Sequence, residues 1–129
     1  MSDERAVTAD LIERLTKATG PDRELDADIA LAVGEFSEKH GLPGGGWVSK
    51  GPHHAIVGAP SYTASLDAAR TLVKDFYWLV SEGKTRDAEP LGGAQVFRRD
   101  YLVKPVAEAE HELVEIALCI AALKARSAL

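Results

Sequence analysis

The segment HELVEIALCIAALKARSAL (111–129) limits what this chain can fold into more than any other. From Leu113 to Leu123, apolar side chains cover most of a helix's circumference instead of one stripe. A helix that is apolar all round must be buried on several sides, so it forms the centre of the core or of a contact between copies of the chain. Each Leu or Ile fully buried there contributes about 1.5–3 kcal/mol. Its longest apolar run, ALCIAAL (117–123), is far too short to span a bilayer.

The preceding segments supply layers to place around that helix. In TADLIERLTKATG, Thr8 is positioned to cap a helix carrying Leu11, Ile12, Leu15 and Ala18 at helical spacing, and Gly20 ends it. Pro21 and Asp22 open a second helix, with Asp22, Glu24, Asp26 and Asp28 crowded at its positive end and a stripe of Leu25, Ile29, Ala32, Val33 and Phe36. Residues 1–37 therefore read as a helical hairpin. Residues 40–60, HGLPGGGWVSKGPHHAIVGAP, keep no period beyond the short piece AIV and read as a long surface loop with at most one short strand. In PSYTASLDAAR (60–70), Ser65 is a good N-cap and Asp67 suits a first turn, and the helix they begin carries apolar residues through Phe76.

The period then changes to two. FYWLVSEG and AQVFRR form an antiparallel hairpin across the loop DAEPLGG, and DYLVKPVAEAE reads as a third strand with Pro105 at an edge or bulge. Residues 64–126 thus give a helix, three strands and the C-terminal helix. The expected fold is one α+β domain over 1–129: a small three-stranded antiparallel sheet packed with about four helices.

Charge and cysteine usage narrow the function. A net charge of −5 without a basic face argues against duplex nucleic acid as a partner, although Arg98, Arg99 and Lys104 lie close together. The single cysteine, Cys119, permits no intrachain disulfide, and the N-terminus carries no apolar signal segment, so a cytoplasmic setting is expected.

The blocks LIERLTKATGPDRELDADIALAVG, PSYTASLDAARTLV, YWLV and ALCIAALKAR, in this order, resemble a group of small phage and prophage proteins, the phage ABA-sandwich domain family. The resemblance covers about two-thirds of the chain. It implies an αβα sandwich acting in the cytoplasm of a bacterial host, and it brings no catalytic residue or cofactor with it. The glycine-rich 40–60 loop and the charged FRRDYLVKPVAEAEHELVE depart from the pattern.

No catalytic motif is complete. SEGKT (81–85) lacks the first glycine of a phosphate-binding loop, since Trp78 stands there, and a hairpin turn suits it better. HELVE (111–115) has Glu115 where a zinc-protease helix has its second histidine. His53 and His54 are neighbours whose side chains diverge on extended backbone, so no metal site is expected, and no cofactor either. Cys119 reads as a buried hydrophobe. Gly44–Gly46 with Ser49 and Lys50 could cradle an anion. Tyr62 either packs over a helix start or faces a ligand, and on the extended strand Tyr77 and Trp78 point to opposite faces.

The sequence accordingly favours a protein that acts by binding, without catalysis, to a host protein. The alternative is capture of a small anionic ligand such as a nucleotide signal, through Trp47, His53, His54, Tyr62, Thr63, Arg98 and Arg99. A weaker one is a small hydrolase built on Tyr62, Thr63 and Ser65 with His53 or His54 as base.

Overall fold

The computed structural model describes residues 2–84, 86–87 and 89–128. These residues form an α+β fold, with four α-helices and two three-stranded antiparallel sheets among them. Helix α1 (Ser2–Lys17) starts well before Thr8, which lies inside it and caps nothing. Glu4, Arg5 and Ala6 are strong helix formers by propensity, and no breaker stands between them and Thr8. Helix α2 (Arg23–Ala32) begins where expected: Oδ1 of Asp22 accepts from the N–H of Glu24 at 2.9 Å and of Leu25 at 3.2 Å.

The stretch read as a loop contributes most of a sheet. Strands β1 (Glu38–His40), β2 (Trp47–Ser49) and β3 (Val57–Gly58) pair in the order β1-β2-β3. Between β1 and β2 the chain reverses through Gly44, Gly45 and Gly46 at φ 89°, 72° and 79°, where a side chain would strain the backbone. The glycines that look like slack in the sequence make the turn possible. Helix α2 packs on this sheet. Lys39 of β1 reaches Glu24 at 2.7 Å and Asp28 at 3.0 Å, and Arg14 of α1 reaches Asp28 at 2.8 Å.

Ser65 caps helix α3 (Leu66–Arg70), its Oγ accepting from the N–H of Ala68 at 3.3 Å. The helix is shorter than its apolar pattern: Thr71–Val73 tightens into a 3-10 turn that still buries Leu72 and Val73. The second sheet follows, with β4 (Tyr77–Lys84), β5 (Pro90–Phe97) and β6 (Ala107–His111) in the order β4-β5-β6. Its hairpin is longer than expected. Ser81 to Lys84 continue β4 opposite Pro90 to Gly93, so SEGK is strand and not turn, while Thr85 lies outside the described residues. The third strand is shorter than expected. Among residues 100–105 the pairing is an isolated bridge between Tyr101 and Arg98, and the ladder resumes where Val106 N–H donates to the Val96 carbonyl at 2.8 Å. Pro105 has no N–H to give that ladder.

Helix α4 (Val114–Ser127) starts after His111, which belongs to β6. It lies between the second sheet on one side and α1 and α3 on the other. That placement explains its apolar circumference: Val114, Ile116 to Leu123 and Ala125 are all buried. Contact with the sheet is close. A Cβ on Gly92 would stand 2.7 Å from the Val114 Cα, so only glycine admits the helix at that point.

The register sorts the second sheet into two faces. Trp78, Val80, Ala94, Val96, Ala107 and Ala109 point to α4 and the core. The alternate residues, Tyr77 and Leu79 on β4, Leu91, Gln95 and Phe97 on β5, and Glu108 and Glu110 on β6, point away. Among the described residues no helix packs on this outer face, and none is long and apolar enough to cross a membrane.

Candidate functional site

Tyr62 and Thr63, both expected beside a ligand, are inside the protein, each 1% exposed. Tyr62 joins the hydrophobic core, and its carbonyl accepts from the Cys119 thiol at 3.4 Å. Thr63 belongs to a buried polar knot around Asp26. Oδ1 of Asp26 accepts from the Thr63 N–H and from its hydroxyl, both at 2.8 Å, and Oδ2 accepts from Arg23 at 2.8 Å. Arg23 then donates to the Ala59 carbonyl at 2.8 Å and to Ser61 Oγ at 3.2 Å, tying the start of α2 to the segment before α3. Each buried side-chain polar atom of this knot meets another group of the protein, so it is structural chemistry. Asp26 looked in the sequence like one of four acids soothing a helix dipole; its helical spacing from Leu25 and Ile29 was the signal that it faces inward.

The loop histidines stand apart. His53 and His54 are exposed on the connection between β2 and β3, away from Tyr62 and Thr63 in burial and in hydrogen bonding. Trp47 of β2 is half-buried and donates its indole N–H to the Pro43 carbonyl at 2.9 Å. The glycine turn does not offer itself to an anion: the space beside Gly45 is filled by the Glu24 carboxylate, 2.8 Å from where a Cβ would be. Among the described residues no group of His, Cys, Asp and Glu is arranged to hold a metal ion.

A constellation not anticipated from the sequence lies on the first sheet. Alternation puts Glu38 and His40 on one face of β1, and Ser49 opposes Glu38 on β2. His40 Nε2 is 2.9 Å from Ser49 Oγ, and Ser49 Oγ donates to Glu38 Oε2 at 3.3 Å. A nucleophilic serine needs the acid on the far ring nitrogen, to orient the base. Here Glu38 lies 3.9 Å from the same Nε2, and Ser49 is 1% exposed. The hydroxyl is a bridge between two side chains and has no access to a substrate.

Cys119 is fully buried and its thiol is pushed up by loss of water contact, with the charge of Asp26 second. It has neither the thiolate nor the exposure of a reactive cysteine.

Arg98 and Arg99 do converge, with a partner the sequence did not suggest. Together with Arg126 from the end of α4 they line an open hollow of about 370 Å³, whose other walls are Asp75, Phe76 and Asp100. Arg126 donates from Nε to the Leu72 carbonyl at 3.1 Å, and Arg99 from Nη2 to the Lys74 carbonyl at 2.8 Å. These carbonyls end the 3-10 turn and its exit, where a helix leaves acceptors unpaired. Arg99 also lies over the Tyr77 ring at 5.5 Å from its centroid. Beside the hollow, the outer face of the second sheet exposes Tyr77 to 51% and Leu79 to 58%.

The described residues thus define an α+β protein with a buried central helix, a sheet face on which none of the described helices packs, and a basic hollow beside that face. Family models, curated proteins and solved structures give no match to it.

Proposed function

We propose that the protein acts by binding another protein on the outer face of the β4-β5-β6 sheet, without chemistry of its own. The observation that carries this is the run of apolar side chains left facing water there. Tyr77, opposite Phe97, and Leu79, opposite Gln95, are exposed on this face, and the connection leaving β5 separately exposes Tyr101, Leu102 and Val103, the last to 85%. Contiguous exposed apolar surface marks interaction sites. Glu108 and Glu110 rim it on β6, so a complementary partner presents apolar side chains flanked by Lys or Arg. A helix is the natural occupant, since it would give the sheet its second helical layer and complete an αβα sandwich. On the phage-protein resemblance, that partner belongs to the bacterial host.

The test compares wild-type protein with Leu79→Glu as bait in host lysate. Leu79 is exposed, so the substitution should move the melting temperature by no more than about 2 °C. The expected result is a protein retained by the wild type and lost by the variant. Equal retention by both would remove the sheet face from the account.

A further inference from the structure

The geometry points to a binding site for a tetrahedral oxyanion, a phosphate monoester, in the hollow between Arg98, Arg99 and Arg126. It stands independently of the sheet-face reading. The chain as a whole is acidic, at −5, so three guanidinium groups around one hollow are a local exception. Two of them lack a counter-charge: among the described residues, neither Arg99 nor Arg126 pairs with a carboxylate. Arg98 is paired with Asp100 at 3.1 Å, but both are exposed, and such a pair is easily exchanged for a stronger one. Asp75 and Asp100 on the walls oppose an anion, which sets three positive groups against two negative ones.

The manner in which the two unpaired arginines are held matters more than their number. Each is anchored by a single hydrogen bond to a backbone carbonyl, Arg126 through Nε and Arg99 through Nη2. The anchoring leaves both Nη groups of Arg126, and Nε and Nη1 of Arg99, with donors to offer. Contact with the Tyr77 ring, 5.5 Å from its centroid, restrains the Arg99 side chain further. Much of the side-chain entropy that binding would cost is therefore lost already on folding. A carboxylate has two oxygens and satisfies one guanidinium fork. A phosphate dianion has three terminal oxygens and can accept from several guanidinium groups at once. The hollow, at about 370 Å³, is also at the size of small-molecule sites and leaves room for the group that carries the phosphate, against Phe76.

The experiment is a titration followed by amide NMR at about pH 7.5, where a phosphate monoester carries close to two charges. Inorganic phosphate, phenyl phosphate and acetate are added separately at constant ionic strength. Saturable shifts at Asp75, Phe76, Arg98 to Asp100 and Arg126 are expected with both phosphates and not with acetate. Tighter binding of phenyl phosphate assigns the site to an ester; equal binding keeps the tetrahedral site and assigns it to free phosphate. The double variant Arg99→Gln/Arg126→Gln should bind about tenfold more weakly or worse. Should it lose its dispersed spectrum, Arg98→Gln, whose partner is an exposed aspartate, takes its place with the same expected direction. Lys124→Gln, in the same last turn of α4 but directed to the Glu108 carbonyl and outside the hollow, should bind like the wild type. Absence of saturable shifts, equal shifts with acetate, or full affinity in the arginine variants overturns the proposal.

Discussion

The Tyr62 phenol is pushed up from 10.0 to about 12, first by loss of water contact and then by the charge of Glu35. The residue that looked most like a ligand contact thereby becomes a probe of the fold. Its folded value lies above its unfolded one, so its stabilising contribution is complete below about pH 10 and is lost as pH rises from about 10 to about 12, at roughly 1.4 kcal/mol per unit. Lys39 acts in the same direction. Its hydrogen bond to Glu24 raises it above its ordinary 10.5, so its contribution also fades in strong alkali. Urea denaturation across this range should therefore show stability falling in the wild type and falling less steeply in Tyr62→Phe. Parallel curves for the two proteins would show that the phenol ionises without sensing the fold. The sequence left the fate of Tyr62 open for a physical reason: a Tyr before a helix cap is compatible with either side of the chain until the element it packs on is known. That element is α4, through Cys119 and the Tyr62 carbonyl, which is 57 residues away.

At the scale of elements, periodicity revealed what it is able to reveal. Helix α4, the capped starts of α2 and α3, and the two-residue period of β4 were legible, because each rests on local spacing or a local side-chain bond. The first sheet was not, because strands of three, three and two residues hold too few positions to show a period. Gly92 and Gly93 misled in the opposite sense. They read as loop, yet both lie within β5, and Gly92 is there for the close passage of α4. His111 works at the same junction. Its ring sits 2.8 Å from the Ala18 carbonyl through Nε2, and Nδ1 accepts from the Leu113 N–H at 2.9 Å, which caps α4 where Leu113 offers no side-chain acceptor. The two glycines are predicted to differ. A methyl on Gly92 meets the Val114 backbone, which cannot rotate away, so Gly92→Ala should cost about 1–3 kcal/mol or more. A methyl on Gly93 meets only Ser81 Oγ at 2.9 Å, which can turn aside. Gly93→Ala should be neutral or stabilising by up to about 1 kcal/mol. Chemical denaturation of the two variants decides it, and equal losses would refute the close passage of helix and sheet.

Across the whole molecule, the layers run from the second sheet through α4 to α1 and α3, and from α2 to the first sheet. The two ends of this stack are held by different forces. Around α4 the contacts are apolar, and the core residues of the second sheet, Ala94, Val96 and Ala107, pack in that cluster. The first sheet places only Val48 fully in the core. Its other ties are polar: Arg23 to the Ala59 carbonyl, and Lys39 to Glu24 and Asp28, with Arg14 on Asp28. Exposed and half-exposed ion pairs contribute little each and are screened by salt. A region with few buried apolar contacts opens locally at a lower free energy than the rest. Native-state hydrogen exchange should therefore find two tiers. Amides of Ile116 to Leu123 should exchange only with global unfolding, whereas those of Lys39 and Val48 exchange through a smaller opening. Raising salt to about 0.5 M should lower protection in the first sheet while leaving α4 unchanged, since dispersion and apolar burial do not depend on screening. One protection level across both regions, insensitive to salt, would mean that the small sheet unfolds only with the core, and that its ion pairs are incidental to its place in the structure.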